Sequence, residues 1–335
     1  MTMKVRRMGR TGLRVSEICL GTMTFGFQTE ADEAFQIMDA AFEGGVNFID
    51  TADVYPLGSD DVGTTESIVG RWLAGRPRDQ VVLATKCVGA MGPSPNQRGA
   101  SRQHILSAVD ESLRRLGTDY IDLYQLHSPD WSVPVEETMQ ALDDLVRWGK
   151  VRYVGSSNYR AWQLALSLGA SDRAGITRFD CDQPRYNILW RDIESDLLPL
   201  CRDQGVGIIA YNPLAGGFLT GKYRNTEDLR DDTRFTLGSA GPRYRARYWH
   251  DIQFEQVARL QTYFAERDIS ITHAAIAWVL AQEGITSAIV GASRAEQIVD
   301  SLKYSEIELS EDDLQFCDQP WYEIPRPTDP DVAMR

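Results

Sequence analysis

Hydrophobic positions along this chain switch repeatedly between two periods. Residues 6–15 read as a small hairpin, with Gly9 and Thr11-Gly12 at the turn, and residues 17–21 follow as a strand-like run. Residues 31–42 then carry apolar side chains at helical spacing (Ala34, Ile37, Met38, Ala41). The pair of signals recurs down the chain. Further strands are predicted at 46–49, 81–84, 121–126, 151–155, 179–183, 206–210 and 287–290, the run at 179–183 being the weakest. Helices are predicted at 65–73, from the N-cap Ser101 to residue 116, and at 135–148, 159–168, 193–204, 254–267, 272–282 and 295–303. Two stretches break the rhythm. Residues 88–99 form a Gly/Pro-rich loop, and residues 214–249 are rich in Gly, Arg and aromatics without clear periodicity. Loops of that length are usually lids or binding loops. The Pro-rich tail after Asp318 is expected to lie over the surface.

Eight strand–helix units in a row point to a (β/α)8 TIM barrel, with an N-terminal β-hairpin and a long loop after strand seven. A doubly wound sheet is the alternative, but it rarely uses so many even units. Composition shows no break, so residues 1–335 are read as a single domain. In a barrel of this type, chemistry belongs at the C-terminal ends of the strands.

Charge narrows the possible partners. Thirty-five Lys and Arg stand against 48 Asp and Glu, a net charge of −13, with no dense basic run. This disfavours nucleic acid and anionic membranes as partners, while leaving room for a local basic pocket. The five cysteines (Cys19, Cys87, Cys181, Cys201, Cys317) show no metal-ligand spacing and read as reduced thiols, so no metal is expected. The basic start is followed by an apolar run, residues 18–20, too short for a signal peptide, and no transmembrane stretch follows. A soluble, cytoplasmic protein is expected.

Four titratable residues follow separate strands: Asp50 and Tyr55 after the second, Lys86 after the third and His127 after the fourth. Each has an ordinary explanation alone. Asp50 could cap a turn, Tyr55 could pack with its hydroxyl wet, Lys86 could be a surface strand end, and His127 a loop histidine. Together they suit one chemistry. A free phenol titrates near ~10, and a lysine cation beside it favours the phenolate and lowers that value. An aspartate would hold the lysine, and a histidine would orient a carbonyl oxygen. The product would be a polarised carbonyl with a proton donor, ready for hydride attack.

The motifs carrying this set run from Gly45 through Asn47-Phe48-Ile49-Asp50-Thr51-Ala52-Asp53-Val54-Tyr55, then Ala84-Thr85-Lys86 and Leu126-His127. Later come Gly149-Lys150-Val151-Arg152-Tyr153-Val154-Gly155-Ser156-Ser157-Asn158 and Gly291-Ala292-Ser293-Arg294. Over roughly residues 5–303 the chain resembles an aldo-keto reductase, and its opening at residues 9–16 resembles the bacterial and channel-β-subunit-like branches. The resemblance places the family's catalytic tetrad on Asp50, Tyr55, Lys86 and His127, with Tyr55 as proton donor. It implies NADP(H) bound without a Rossmann fold, at the C-terminal mouth of the barrel. Ser157, Asn158 and Gln183 would hold the nicotinamide carboxamide, and Tyr211 would stack on the ring. The backbone around Leu214, Leu219, Gly221 and Lys222 would follow the pyrophosphate. Ser293 and Arg294 would meet the 2′-phosphate, and Gln297 the adenosine. Many relatives have an asparagine where this chain has Ser301, next to Asp300, and an acid there would weaken a preference for a 2′-phosphate. The resemblance gives Asp53 no role, and a turn carboxylate accounts for it.

Two nucleotide motifs are decoys. Residues 205–210 fit G-x-G-x-x-A but run into a strand instead of following one. Residues 216–222 fit G-x-x-x-x-G-K, yet Tyr223 stands where a P-loop needs Ser or Thr. The same glycines and lysine suit a pyrophosphate loop. Candidate substrate walls are Phe25, Phe27, Trp131, Trp190 and Phe235. The expected activity is reversible reduction of aldehyde or ketone groups on small molecules. The alternative is an NADPH-binding, redox-sensing module like the channel β-subunits, which an intact tetrad and a negligible stretch before Lys4 disfavour. Oligomeric state is not legible.

Overall fold

The chain enters through an antiparallel hairpin, β1 (Val5–Arg7) and β2 (Arg14–Ser16), with Val5 opposite Ser16. A computed structural model describes residues 3–325. Eight parallel strands follow: β3 (Ile18–Gly21), β4 (Phe48–Asp50), β5 (Val82–Cys87), β6 (Ile121–Leu126), β7 (Val151–Ser157), β8 (Cys181–Gln183), β9 (Gly207–Tyr211) and β10 (Ile285–Gly291). They pair in chain order, and β10 returns to β3 to close the barrel. Outside lie α1 (Ala31–Glu43), α2 (Thr64–Leu73), α3 (Arg102–Leu116), α4 (Val135–Arg147), α5 (Ala161–Ala174), α6 (Leu197–Gln204), α7 (Gly241–Tyr248), α8 (Asp251–Ala265), α9 (Ile271–Ala281), α10 (Ala295–Leu302) and α11 (Glu311–Glu323). The fold is the (β/α)8 barrel with an N-terminal hairpin that the pattern predicts.

Strand period decides what fills the barrel. Cys19, Phe48 and Val82 are neighbours in register, as are Ala84 and Leu123. With Met8, Val15, Cys181 and Ile209 they form a buried apolar cluster separate from the main core between strands and helices. Side chains return to the same face every second residue, so the next inward positions are Asp50, Lys86, Gln125 and Gln183. An apolar lower layer therefore carries a polar upper one. The hairpin closes the lower end. Met8 is fully buried there, and a Cβ on Gly207 would lie 2.7 Å from its sulfur. That close approach, together with the left-handed Gly205 capping α6, accounts for the glycines of the G-x-G-x-x-A decoy.

Three helical expectations need correction. The helix predicted over 159–168 runs on to Ala174, because Gly169 is tolerated inside it and the left-handed Gly175 ends it. The stretch 214–249 is not all loop, since it contains α7, opened by Pro242 in its first turn. It holds its shape around an aromatic cluster in which the Phe218 ring lies 4.8 Å from Phe254 and the Phe235 ring 4.7 Å from Trp249. The Pro-rich tail begins as α11, whose Ser310/Asp313 capping box carries the helix through Pro320. The remainder of that tail, residues 326–335, lies outside the described residues.

Candidate active site

Asp50 ends β4, and its carboxylate collects donors from three other strands. Lys86 Nζ donates to Asp50 Oδ2 at 2.5 Å and to the Thr51 carbonyl at 2.8 Å. Gln125 Nε2 and Gln183 Nε2 donate to Asp50 Oδ1 at 3.1 and 2.9 Å. Lys86 has no solvent exposure, so it is no surface strand end. A buried ion pair persists only with further hydrogen bonds to satisfy it, and the glutamines and the Thr51 carbonyl provide them. Burial would lower the Lys86 pKa, but Asp50 and Tyr55 outweigh it and hold the ammonium above its ordinary value.

The turn after β4 brings Tyr55 over this pair. Thr51 and Asp53 donate their amides to the carbonyls of Ala84 and Lys86 at 2.9 and 3.1 Å, which extends the pairing with β5. Gly63 and Thr65, at the start of α2, donate to the Tyr55 carbonyl at 3.1 and 3.3 Å. Lys86 Nζ lies 5.2 Å from the centre of the Tyr55 ring, and the His127 ring meets that ring edge-on at 5.6 Å. The structure thus brings together all four residues that the sequence singles out. The phenol differs from expectation. Burial pushes it up to about 12, with Lys86 pulling down and Asp50 adding to the rise. The lysine acts in the expected direction, but desolvation is the larger effect.

Asp53 lies in the turn, as expected, but it is fully buried there. Burial, and then the charge of Glu66, push its carboxyl well above the usual range.

A cleft of about 490 Å³ opens at the C-terminal mouth, lined by Asp50, Tyr55, His127, Ser157, Asn158, Gln183, Trp190 and Tyr211, among others. Tyr211 Oη donates to Asn158 Oδ1 at 2.8 Å, and Asn158 Nδ2 donates to the His127 carbonyl and to Ser157 Oγ, both at 3.0 Å. Gln183 reaches the cleft wall while its amide is spent on Asp50 and Gln125.

Residues expected at the phosphates sit beside the cleft. Leu214 leads into a short 3-10 stretch, Ala215–Thr220, in which Gly216 and Gly217 are left-handed and Leu219 is buried; left-handed Gly221 caps it. Burial lowers the Lys222 pKa, and Arg230, Arg294 and Arg234 lower it further, so four cations share one neighbourhood. Arg234 also lines the cleft and joins the two regions. Ser293 donates its amide and hydroxyl to Gln297 Oε1 at 2.9 and 3.1 Å. Asp300 lies 3.2 Å from Lys303 Nζ and 3.4 Å from His273 Nε2.

Of the expected substrate walls, only Trp190 lines the cleft. Phe25 has no exposed surface and packs in the main core, its carbonyl accepting from Thr65 Oγ1 at 2.7 Å. Phe235 is buried in the aromatic cluster. Phe27 and Trp131 are exposed, and Trp131 stacks on Trp162 at 5.0 Å. Arg185, Arg243, Tyr244 and Arg247 are cleft residues that the sequence reading missed. The signal was present, in Pro242 as a helix start followed by arginines four residues apart.

Comparisons with known proteins identify the family. The model of the Aldo/keto reductase family matches residues 17–321. "Uncharacterized oxidoreductase YrpG" of Bacillus subtilis is 39% identical over 321 residues, covering 94% of each chain. An Arabidopsis thaliana protein named "Probable voltage-gated potassium channel subunit beta" is 35% identical over 305 residues, covering 90% of each. "Versiconal hemiacetal acetate reductase" of Aspergillus parasiticus is 33% identical over 344 residues, covering 95% of this chain and 97% of its own. This chain belongs to the aldo/keto reductase family.

Proposed function

We propose that this protein reduces aldehydes or ketones of small molecules to alcohols with NADPH, and that Tyr55 supplies the proton. The observation that carries the reading is the buried Lys86–Asp50 contact of 2.5 Å beneath the Tyr55 ring, at the mouth of the barrel.

The cleft fits a dinucleotide. Asn158 and Ser157 offer amide and hydroxyl groups beside Tyr211, an aromatic at a strand end. Lys222, Arg230, Arg234 and Arg294 gather positive charge that phosphates would relieve. When bound, a reduced nicotinamide supplies a hydride to the carbonyl carbon. Ser157 and Asn158 would orient its carboxamide, Tyr211 would support its ring, and Arg294 with Ser293 would hold the 2′-phosphate.

The chain's own residues do the rest. His127 and Tyr55, whose rings meet edge-on at 5.6 Å, would share the carbonyl oxygen between them. A phenol held near 12 stays protonated at neutral pH, yet it is acidic enough to donate to the alkoxide that forms, a much stronger base. The Lys86 ammonium stabilises the phenolate left behind, and Asp50 keeps that ammonium charged and in place. The reverse reaction runs through the same groups.

The test is steady-state NADPH oxidation against a panel of aldehydes and ketones, with Tyr55→Phe as control. Turnover of at least one carbonyl, lost in the variant, is expected. Full activity in Tyr55→Phe would remove the acid role. A second reading, a redox-sensing module, draws on the relative named as a channel subunit. Tight NADPH binding with no carbonyl turned over would favour it.

A further inference from the structure

We infer that Glu66 and Thr85 are positioning residues for the reaction: their hydrogen bond, on the outer side of the barrel wall, holds the Tyr55 ring over Lys86. The inference rests on the reductase reading and adds to the support of its proton donor.

Thr85 and Lys86 are consecutive on β5, so their side chains leave opposite faces of the strand. Lys86 turns into the barrel and meets Asp50. Thr85 turns outward, where its Oγ1 donates to Glu66 Oε1 at 2.6 Å. Glu66 lies in the first turn of α2, and its Oε2 accepts from Arg115 Nε, on α3, at 2.7 Å. Neither Thr85 nor Glu66 has any solvent exposure. The barrel wall thus carries anchored side chains on both of its faces at neighbouring residues.

Tyr55 hangs from the other end of this construction. The turn after β4 pairs with β5 as far as Asp53, whose amide donates to the Lys86 carbonyl. Past Asp53, the Tyr55 amide bonds within the turn, to the Ala52 carbonyl at 3.2 Å. The Tyr55 carbonyl takes the amides of Gly63 and Thr65, in place of the side-chain cap that Gly63 lacks. Where Tyr55 sits is therefore tied to the first turn of α2. Glu66 ties that turn to β5, and Arg115 packs against it, since a Cβ on Gly63 would lie 2.7 Å from Arg115 Cδ. A circuit runs from the Tyr55 carbonyl through α2, Glu66 and Thr85 to Lys86. It closes in the site, where Lys86 Nζ stands 5.2 Å from the centre of the Tyr55 ring.

Stability alone does not call for this arrangement. Apolar side chains of similar volume often replace a buried ion pair without loss. What apolar packing lacks is direction, and a hydrogen bond between two fully buried side chains fixes a distance and an angle. The Asp53 carboxyl feels the same pair. Burial and then Glu66 push it up, and Arg115 pulls it down, so these charges also face the turn that joins Asp50 to Tyr55.

The test uses two substitutions on the full chain. Thr85→Val keeps the shape of the side chain and removes the donor, whereas Thr85→Ser keeps the donor. In single turnovers with NADPH bound, Thr85→Val is expected to slow carbonyl reduction about tenfold or more, the scale on which a small misplacement acts. Affinity for NADPH should be unchanged, and Thr85→Ser should stay near the wild-type rate. In a Tyr55→Phe background, Thr85→Val should change the residual rate little, because no phenol is left to position. An undiminished rate in Thr85→Val, an equal fall in both backgrounds, or a Thr85→Ser variant as slow as Thr85→Val overturns the inference. A measurement without turnover separates it from the reductase reading. With 3-fluorotyrosine incorporated, the fluorine resonance that disappears in Tyr55→Phe reports that ring directly. It should move in Thr85→Val and return in Thr85→Ser. Movement in a protein that turns over no carbonyl supports the placement of Tyr55 and removes the reductase reading. An unmoved signal with an unchanged rate removes the inference alone, and an unmoved signal without turnover removes both.

Discussion

Lys86 and Asp50 meet at 2.5 Å inside the barrel, from adjacent strands, with almost no solvent on either side chain. Removing one partner of such a pair leaves a buried charge without compensation, which costs about 3–5 kcal/mol. Lys86→Met and Asp50→Asn should therefore each lower the urea midpoint and abolish carbonyl reduction. The double variant should regain part of the stability and none of the activity. Additive losses of stability in the double variant would show that the two side chains are energetically independent.

Tyr55 can be tested through pH as well as by substitution. Losing a positioned acid costs typically ~10²–10⁴-fold in rate, so Tyr55→Phe should fall by that order while still binding NADPH. The phenol is pushed up to about 12 by burial, so it remains protonated throughout the neutral range. Reduction, which needs the phenol, should not decline between about pH 6 and 9 on account of this group. Alcohol oxidation needs the phenolate and should rise with pH over the same interval. A reduction rate that falls with a midpoint near neutrality, and loses that midpoint in Tyr55→Phe, would contradict the elevated phenol.

The barrel was legible because strands buried on both faces read as unbroken apolar runs, and the four titratable residues because each follows such a run and falls on a motif of the family. A period of two accounts for the inward turn of two of them. Asp50 lies two positions past Phe48 on the inward face, and Lys86 four past Val82. Phe25 and Phe235 were misplaced because aromatic character alone does not distinguish a cleft wall from the core behind it. Helix α7 was missed because its apolar side chains pack on a local aromatic cluster, which leaves the arginines to dominate its sequence. Asp53 escaped because its pKa is raised chiefly by burial and then by Glu66, brought near by α2, and spacing reveals neither.

Asp182 on β8 couples the fold to pH. It is fully buried, and Ser156 Oγ donates to its Oδ1 at 2.5 Å. Burial pushes it up to about 7 from 3.8, with the Ser156 bond pulling down. Between those values the unfolded chain releases a proton that the folded chain keeps, so this group's contribution to stability is lost as pH rises. A shift of that size corresponds to a few kcal/mol. Asp182→Asn keeps an oxygen for Ser156 and does not titrate. Its stability relative to wild type, from urea midpoints, should improve steadily from about pH 4 to 7. Parallel profiles for the two proteins would show that Asp182 ionises normally.

The cations around Lys222 offer a readout that does not depend on turnover. Burial and the charges of Arg230, Arg294 and Arg234 lower the Lys222 pKa, so an anion bound there should stabilise the fold. At a hundredfold excess over Kd, a ligand specific for the native state contributes about 2.7 kcal/mol, or roughly 4 °C in Tm for a chain of this size. Adenosine 2′,5′-bisphosphate should therefore raise Tm well above the effect of adenosine. Arg294→Ala should remove most of the advantage of the 2′-phosphate over ADP, whereas Asp300→Asn should change it little, because Asp300 already faces Lys303 and His273. An equal shift with ADP and the 2′,5′-bisphosphate in the wild-type protein would mean that the cluster reads only the pyrophosphate. The preference for NADPH over NADH would then be lost from the proposal.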